Sequence, residues 1–332
     1  MEQSRILDGI RHTENGLCRS VSGAGSPNNR NGKEVIAVKI NIGTYSFGGI
    51  ASYLGLGPSL REKFRTIRSL GFDGVELLPP DLEENSAEDI RSWAQESGLE
   101  IVSVHAMPTE ETVKKLAAVG GKAVIWAMTA FNCREEAIEV ARELDAMAEM
   151  AAPYGIKVGY HNHSQEFFVD QGKTLLEHVI ENSSKCYFQL DCGWAQNGGC
   201  YPPTFIREHL GRFVAIHVKE NSKVQGPGPR PASRRDRPAG NPLGDVKRMS
   251  LEERQKLLEG FTARQNTPEE KARFAVQCKM GAPESNMNWQ EIKNALDEQD
   301  FEAFWVIERE GFYDEHDKCI AEDAAYIHNF VK

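Results

Sequence analysis

The chain has 332 residues, 40% of them hydrophobic, so it can bury a large core as one α/β barrel or as two ordinary domains. Its net charge of −10 argues against nucleic acid as a partner, because binding a phosphate backbone needs clustered Lys and Arg. Its 7 scattered cysteines include no CxxC pair, which predicts neither a zinc ribbon nor a disulfide framework and favours reduced thiols.

The N-terminal region and the distribution of apolar residues predict a cytoplasmic protein without a membrane partner. No run of about eighteen apolar residues occurs, and residues 1–33 lack the apolar segment of a secretory signal. Residues 1–33 are also polar and end in a run rich in Gly, Ser and Asn. Such a composition is too poor in apolar residues to fold alone and predicts a flexible N-terminal tail or a short arm packed on the domain.

From residue 34 onward, short β-rich runs alternate with amphipathic charged stretches, which is typical of βα units around a parallel sheet. The predicted strands are Val35–Asn41, Gly74–Leu78, Glu100–His105, Ala123–Ala127, Lys157–His161, Tyr187–Asp191, Phe213–Val218 and Phe304–Glu308. Eight βα units predict a (β/α)8 TIM barrel, which we expect to occupy residues 34–332 as a single domain. The active site of such a barrel lies at the carboxyl ends of its strands.

The interval between the seventh and eighth predicted strands is much longer than one βα unit needs. It predicts an insertion at about residues 221–285, with helices at 250–264 and 267–279. Two interpretations remain open. The insertion either forms a lid or substrate-contacting flap on the active-site side, or is a disordered or interface loop without a part in catalysis.

The fifth predicted strand ends in the run Gly-Tyr-His-Asn-His at residues 159–163, followed by Ser-Gln-Glu at 164–166. Because successive side chains of a strand point to opposite faces, His161 and His163 can share one face. The two imidazoles either converge on an active site or serve as hydrogen-bonded structural histidines.

Three later predicted strands also end in residues that can bind a metal, namely Asp191, His217 and Glu308. With His161 they form a predicted coordination site of mixed nitrogen and oxygen ligands. Such a site suits one divalent metal among Mn, Mg, Fe, Co and Zn, rather than a metal that prefers thiolates.

At these residues the chain resembles the xylose isomerase-like TIM barrels, the sugar phosphate isomerase/epimerase superfamily, from about Val35 to the C-terminus. The motifs that carry the resemblance are Gly-Phe-Asp-Gly-Val-Glu at 71–76, Tyr-His-Asn-His at 160–163, Leu-Asp-Cys-Gly-Trp at 190–194, Ile-His-Val-Lys at 216–219 and Val-Ile-Glu at 306–308. The second motif is similar to that of one bacterial-type branch of uncharacterised isomerases or epimerases.

The resemblance implies one divalent metal bound by residues at the ends of strands five to eight. Asp191, His217 and Glu308 match three of these ligands directly. Where the family has a strand-five glutamate, this chain has Gly159. The fourth ligand is then His161, further along the strand, or Glu166, reaching back from the loop, and both alternatives remain open.

The resemblance also implies an isomerase or epimerase of a sugar, sugar phosphate or keto-sugar, working by proton transfer through a metal-stabilised enediolate. Glu308 and either His161 or His163 are the expected acid/base pair. Lys219 is expected to neutralise an oxyanion or a carboxylate, unless it forms a structural ion pair.

The missing strand-five glutamate leaves one face of the substrate to an imidazole, whereas epimerisation needs an acid/base group on each face. This raises a keto-sugar or inosose dehydratase, a carbon–oxygen lyase, as an alternative function. A non-catalytic sugar-binding barrel is a further alternative. The metal cluster of the DNA-repair endonucleases that share this barrel needs more strand-end ligands than the chain offers.

Several other residues are predicted to contact a small sugar substrate. Glu76 and His105 end strands two and three and are expected to bind sugar hydroxyls, unless they form a buried supporting pair. Trp126 and Trp194 offer flat apolar faces to a sugar ring, or simply pack. Glu166 is assigned to the same group if it is not a ligand. No Gly-rich phosphate loop occurs, so no nucleotide cofactor is expected, and the resemblance suggests a homo-oligomer.

Overall fold

The computed structural model describes residues 38–236, 246–300 and 302–331, and the predicted tail at 1–33 lies outside them. Parallel strands close one barrel in chain order, with β8 paired to β1 and Ile40 opposite Trp305. The barrel strands are β1 Ile40–Gly43, β2 Gly74–Leu77, β3 Glu100–His105, β4 Ala123–Trp126, β5 Lys157–His161, β6 Tyr187–Asp191, β7 Phe213–Val218 and β8 Phe304–Ile307. The predicted (β/α)8 TIM barrel is confirmed.

One helix follows each barrel strand on the outside, and shorter helices lie in the loops. The described α-helices are α1 Gly49–Tyr53, α2 Leu60–Ser69, α3 Pro79–Glu83, α4 Ala87–Ser97, α5 Glu110–Ala118, α6 Arg134–Ala151, α7 Leu175–Glu181, α8 Cys192–Asn197, α9 Pro202–Glu208, α10 Leu251–Gln265, α11 Pro268–Phe274, α12 Trp289–Asp297 and α13 His316–Val331. A small hairpin, Val169–Asp170 with Lys173–Thr174, follows β5. Within the described residues, no helix combines the length and apolarity needed to cross a bilayer.

The prediction of the first strand was wrong at its start. It began at Val35, whereas β1 begins at Ile40, where the pairing with β8 starts. The Ile40 amide donates to the Asp73 side chain and its carbonyl accepts from the Asp73 amide, which fixes this start. Residues 35–37 lie outside the described part of the chain.

The second predicted helix of the insertion was also too long, since α11 ends at Phe274 instead of residue 279. The helix ends there because the carbonyl groups of the following residues accept hydrogen bonds from other segments of the chain. The Val276 carbonyl accepts from the backbone amide of Ser222, and the Gln277 side chain accepts from the Gly311 amide. Tertiary hydrogen bonds therefore override a local helical preference.

Helix α2 illustrates how the sequence places each helix on the barrel. Ser59 and Glu62 form a reciprocal capping box that starts the helix. Leu60, Phe64 and Ile67 follow at helical spacing and are buried against the strands. Inside the barrel the core is a small separate cluster, formed by Ala123, Ile125, Val214 and Ala215. Small and branched side chains thus fill the barrel floor and leave the polar residues at the carboxyl ends of the strands.

The described parts of the predicted insertion contact segments that follow barrel strands. Its outgoing part reaches the helix after β4, α10 reaches the loop after β1, and the returning part binds the loop after β8. The contacts that fasten it are Arg230 to the Asn132 carbonyl, Arg234 to Glu143, Arg254 to the Leu54 carbonyl and Gln277 to the Gly311 amide. These contacts put the described parts of the insertion, the predicted lid, on the active-site side of the barrel.

Glu220, immediately after β7, is the buried anchor of the returning part of the insertion. Its carboxylate accepts hydrogen bonds from the Ser285 hydroxyl at 2.6 Å, the Trp289 indole at 3.1 Å and the Gly281 amide at 3.2 Å. The pKa of Glu220 is raised overall, because burial raises it by more than these hydrogen bonds lower it. A buried acceptor of this kind stabilises the lid only while its donors remain paired.

We predict that Glu220→Ala loosens the insertion, because it leaves buried donors without an acceptor at a cost of about 1–3 kcal/mol. Limited proteolysis should then cut within residues 246–274 faster than in the wild type. Glu252→Ala, which removes an exposed carboxylate of α10, is the matched control and should leave the cleavage rate unchanged. Equal cleavage rates in Glu220→Ala and the wild type would show that Glu220 does not anchor the lid.

Candidate metal centre at the barrel mouth

Four predicted ligands converge at the carboxyl ends of neighbouring strands. One donor atom from each of His161, Asp191, His217 and Glu308 lies within 4.8 Å of the others. All four side chains are buried. The parallel register brings them together, since Asp191 lies opposite His217 and Val306, two residues before Glu308, also lies opposite His217. The closed barrel therefore brings together four residues that are far apart in the sequence.

Two buried ligand atoms without hydrogen bonds favour a metal ion in this cluster. Oδ1 of Asp191 caps α8 by accepting from the Trp194 amide at 2.7 Å. Nδ1 of His217 is buried without a hydrogen bond in the described part of the chain, and so is Oδ2 of Asp191, which lies 3.1 Å from the Lys219 ammonium. The His217 Nδ1 lies 3.7 Å from that oxygen and 3.3 Å from Oε2 of Glu308. Because unpaired buried polar atoms are costly, a cation between these ligands would satisfy them.

The amide of Gln189 orients His161 for metal binding. The Gln189 Nε2 donates to Oε2 of Glu76 at 2.7 Å, and a carboxylate can only accept there. The Gln189 Oε1 is therefore turned toward the histidines, 3.0 Å from Nδ1 of His161 and 2.6 Å from Nε2 of His105. Both imidazoles must donate to it. This network assigns the proton of His161 to Nδ1 and leaves the Nε2 lone pair for a metal.

Glu76 orients His217 in the same way. The Nε2 of His217 donates to Oε1 of Glu76 at 2.8 Å, which leaves Nδ1 facing Glu308 and Asp191. Burial alone would lower the pKa of His217, but the charges of Glu308 and Glu76 outweigh it and hold this pKa well above its usual range. The cluster thus favours a positive charge at this imidazole, which a metal ion would supply in place of a proton.

Glu76 and His105 were predicted to contact the sugar, and the structure gives Glu76 a supporting position instead. Its carboxylate accepts from the Ser103 hydroxyl at 2.6 Å and lies 3.1 Å from Nε2 of His105, besides its contacts with Gln189 and His217. Its acceptor sites are therefore occupied. The His105 ring stacks on His217 with centroids 5.0 Å apart. The alternative of a buried supporting pair describes these two residues better.

Lys219 lies beside the metal ligands, as a buried ammonium among three carboxylates. Its Nζ is 2.8 Å from Glu308, 3.1 Å from Asp191 and 2.6 Å from Glu310. Burial would lower the pKa of Lys219, but these three carboxylates outweigh it and raise the pKa well above its usual value. Lys219 therefore brings a permanent positive charge to the site.

Glu166 lies outside the cluster, because both of its carboxylate oxygens have other partners. The Tyr160 hydroxyl donates to Oε1 at 2.8 Å, and the His163 amide donates to Oε2 at 2.8 Å. Of the two predicted fourth ligands, the structure brings only His161 to the other three. The His163 ring packs beside that of His161, with centroids 4.9 Å apart, and its buried Nδ1 has no partner among the described residues.

This geometry predicts different effects for the two candidates for the fourth ligand. His161→Ala should weaken metal binding by more than the 10- to 100-fold that losing an outer partner of a ligand costs. Glu166→Ala should retain the metal, because Glu166 stabilises the loop. Titrating metal-free protein with Mn²⁺ or Zn²⁺ measures both affinities. Metal lost from Glu166→Ala and retained by His161→Ala would reverse the assignment.

Gly159, where the resemblance led us to expect a glutamate, lies against the barrel floor. A Cβ atom at this position would lie 2.7 Å from Cδ1 of Ile125, so the end of that flexible side chain would have to shift. Ile125 belongs to the cluster that forms the barrel floor. On strand β5, His161 is the side chain that joins the other candidate ligands.

The two predicted aromatic platforms differ in position. Trp126 packs its ring edge-to-face against Tyr160, at 6.4 Å, in the layer that faces the helices, so the structure does not bring Trp126 to the cluster. Trp194 lies at the cluster, with its ring centroid 4.9 Å from Nζ of Lys219 and 6.2 Å from the His163 ring. Of the two, only Trp194 lies beside the cluster, and its side chain is buried.

Sequence reasoning missed several residues of the site. Gln189 precedes Asp191 by two positions, and Glu310 follows Glu308 by two, so strand alternation could have placed both on the inner face. Tyr45, after β1, lies close enough to Glu310 and Glu308 for their charges, together with burial, to raise its pKa. No sequence signal links these loops to one another, because the closed barrel brings them together.

Comparison with known proteins places this geometry in a family. A search among curated protein sequences finds no significant match. A sugar phosphate isomerase/epimerase from Parabacteroides distasonis is 19% identical over 92% of this chain and 100% of its own, with a TM-score of 0.61. A 3-keto-D-glucoside 4-epimerase from E. coli is 14% identical over 88% of this chain and 99% of its own, with a TM-score of 0.55.

A third similar structure is the probable 3-DHS dehydratase from Bacillus anthracis. It is 13% identical over 87% of this chain and 98% of its own, with a TM-score of 0.52. At these identities the likeness shows the fold alone. The sequence profile of the xylose isomerase-like TIM barrels matches residues 64–329, most of the chain, and the protein belongs to this family.

Proposed function

We propose that the protein is a divalent-metal-dependent isomerase or epimerase of a sugar, sugar phosphate or keto-sugar. The observation that carries the proposal is the buried convergence of His161, Asp191, His217 and Glu308 at the barrel mouth. Two of their buried atoms make no hydrogen bond among the described residues, and two supporting residues fix the imidazole tautomers. Membership of the family supports a small carbohydrate as the substrate.

The chain's own residues divide the work of proton transfer. A bound divalent metal would stabilise negative charge on the substrate oxygens. The Lys219 ammonium, 2.8 Å from Oε2 of Glu308, adds a second positive charge beside the same oxygens. The imidazole of His163, next to that of His161 and unpartnered at its buried Nδ1, is the group free to take or return a proton on the strand-five side.

Glu308 is the proposed acid/base group on the other side. Burial alone would raise its pKa, but the charges of Lys219 and His217 outweigh it and hold the pKa of Glu308 well below its usual range. Glu308 is thus ionised at neutral pH and competent as a ligand. As a base it depends on the substrate drawing Lys219 away, since the ammonium stabilises its charged form.

The alternative function is a keto-sugar dehydratase, a carbon–oxygen lyase. It is favoured by Gly159, which leaves strand five without a second carboxylate at the cluster. One carboxylate, Glu308, and one imidazole supply a base and a proton donor for a leaving hydroxyl. A lyase needs no more than that.

Deuterium exchange distinguishes these functions. The metal-reconstituted protein is incubated in D₂O with a panel of ketoses, ketose phosphates and keto-inositols, which are then recovered for mass spectrometry and NMR. Deuterium beside the carbonyl with every hydroxyl retained supports the isomerase or epimerase, whereas loss of water supports the lyase. Sugar binding without either change would indicate a non-catalytic barrel. His163→Gln should abolish exchange, and His209→Gln, which replaces an imidazole packed on Phe205, should not.

A further inference from the structure

The insertion carries an arginine to the rim of the candidate metal centre. Arg273 lies in the last turn of α11, and its guanidinium carbon is 4.8 Å from the centroid of the Trp194 ring. The same ring lies 4.9 Å from Nζ of Lys219. Trp194 also follows Asp191 closely, and its amide is capped by that side chain. Arg273 therefore borders the space above the metal ligands.

The guanidinium of Arg273 has spare hydrogen-bonding capacity. Among the described residues its one ion pair is with Glu270, at 3.5 Å, and Glu270 is also 3.4 Å from Arg264. No hydrogen bond from the Arg273 guanidinium is found within that part of the chain, and its side chain is 44% exposed. Stacking on Trp194 holds the guanidinium plane and leaves its N–H edge free.

The other cationic side chain at the site, Lys219, is already paired with carboxylates. The ammonium of Lys219 contacts Asp191, Glu308 and Glu310 and has no further proton to offer. Tyr45 connects the two regions: burial and the charges of Glu310 and Glu308 raise its pKa, and the charges of Lys219 and Arg273 lower it. Arg273 and Lys219 contact the same Trp194 ring beside the metal ligands, and Arg273 is the more loosely paired cation of the two.

We propose that Arg273 binds an anionic group of the substrate, a carboxylate or a phosphate, and selects acidic or phosphorylated keto-sugars over neutral ones. The planar guanidinium fork matches either group with two parallel N–H donors. The anion would bind at the exposed edge of the guanidinium, at the rim and away from the reacting carbon beside the metal. This inference rests on the proposed function for its substrate class, since it assigns a part of that substrate to the lid.

Small anions test the proposal without knowledge of the sugar. Isothermal titration of the metal-loaded full chain at low ionic strength measures the affinity for inorganic phosphate and for malonate. We expect saturable binding, about tenfold weaker in Arg273→Gln and partly weakened in Arg273→Lys, which keeps the charge without the fork. Arg235→Gln, which removes an exposed arginine of the insertion paired with Glu139, is the control and should bind like the wild type. The tighter of the two anions identifies the natural group.

Three outcomes would overturn the proposal. They are no saturable anion binding by the wild type, equal affinities in wild type and Arg273→Gln, and weaker binding in Arg273→Gln accompanied by faster proteolysis of residues 246–274. The last outcome would make Arg273 a fastener of the lid. The result is separable from the proposed function, because anion binding requires no turnover. Deuterium exchange into a sugar without anion binding at Arg273 would support the isomerase or epimerase proposal and contradict this one. Anion binding at Arg273 without deuterium exchange would support this proposal and contradict the other.

Discussion

Replacing Asp191 by Asn or Glu308 by Gln is expected to remove the divalent metal from the protein. Each change replaces an anionic ligand by a neutral amide, at positions where Oδ2 of Asp191 and Oε2 of Glu308 both face Nδ1 of His217. The loss of affinity should exceed the 10- to 100-fold that removal of an outer partner of a ligand costs. Elemental mass spectrometry should find about one metal per wild-type chain and almost none in either variant.

Asp170→Asn provides the control for this loss. Asp170 lies in the hairpin after β5, where its carboxylate caps the Arg134 amide and pairs with Arg230, away from the cluster. Its variant should retain the metal. Full metal content in Asp191→Asn or in Glu308→Gln would show that the metal binds elsewhere, and the proposed centre would be wrong.

The second large effect is expected for Glu76→Gln, which should destabilise the fold and weaken metal binding together. The amide would present N–H groups where Ser103, Gln189 and His217 now supply donors. Losing hydrogen bonds to a buried charge should lower the free energy of unfolding by about 2–3 kcal/mol. His217 would also lose the acceptor that fixes its tautomer, so its Nδ1 would no longer be held for the metal. Urea unfolding of metal-free protein measures the first effect and metal titration the second.

The Glu76 carboxylate should also make the free energy of unfolding depend on pH. Burial would raise the pKa of Glu76, but the charges of His105 and His217 outweigh it and lower the pKa from 4.5 to about 2. Between these values the unfolded chain binds more protons than the folded one. The contribution of Glu76 is thus fully present above pH 4.5 and is lost as the pH falls toward about 2.

Comparing variants isolates this contribution. The stability difference between the wild type and Glu76→Gln should shrink as the pH falls from 6 to 3. Glu100→Gln, which removes an exposed carboxylate paired with Lys39, should differ from the wild type by less than about 1 kcal/mol at every pH. A constant difference for Glu76→Gln across this range would mean that Glu76 is not held ionised by its imidazole partners.

The barrel and its strands could be predicted from the sequence because each strand is a short apolar run bounded by amphipathic helices. The pattern failed at β1, where the apolar run begins before the pairing with β8 begins at Ile40. It also failed at α11, where Phe274 ends the helix because the next residues bind the loop after β8. Both errors concern boundaries that partners distant in sequence decide.

The sequence could predict those residues of the candidate site that lie at the ends of strands. Asp191, His217 and Glu308 each close a strand, and the structure brings them together with His161. Alternation along a strand cannot tell a residue that contacts the substrate from one that supports the ligands, so the sequence left Glu76 open between a sugar contact and a buried supporting pair. In the structure Glu76 pairs with His217 and His105. Arg273 was out of reach of the pattern, because its place at the mouth depends on the path of the insertion.

The most direct test of the metal centre is a crystal structure of the protein reconstituted with Mn²⁺ or Zn²⁺, with diffraction data collected at the absorption edge of the metal. We predict one anomalous peak at the barrel mouth, about 2.0–2.3 Å from Nε2 of His161, Oδ2 of Asp191, Nδ1 of His217 and Oε2 of Glu308. Lys219 should remain paired with Glu310 beside it. A peak coordinated by Glu166, a peak confined to the protein surface, or no peak at all would contradict the account.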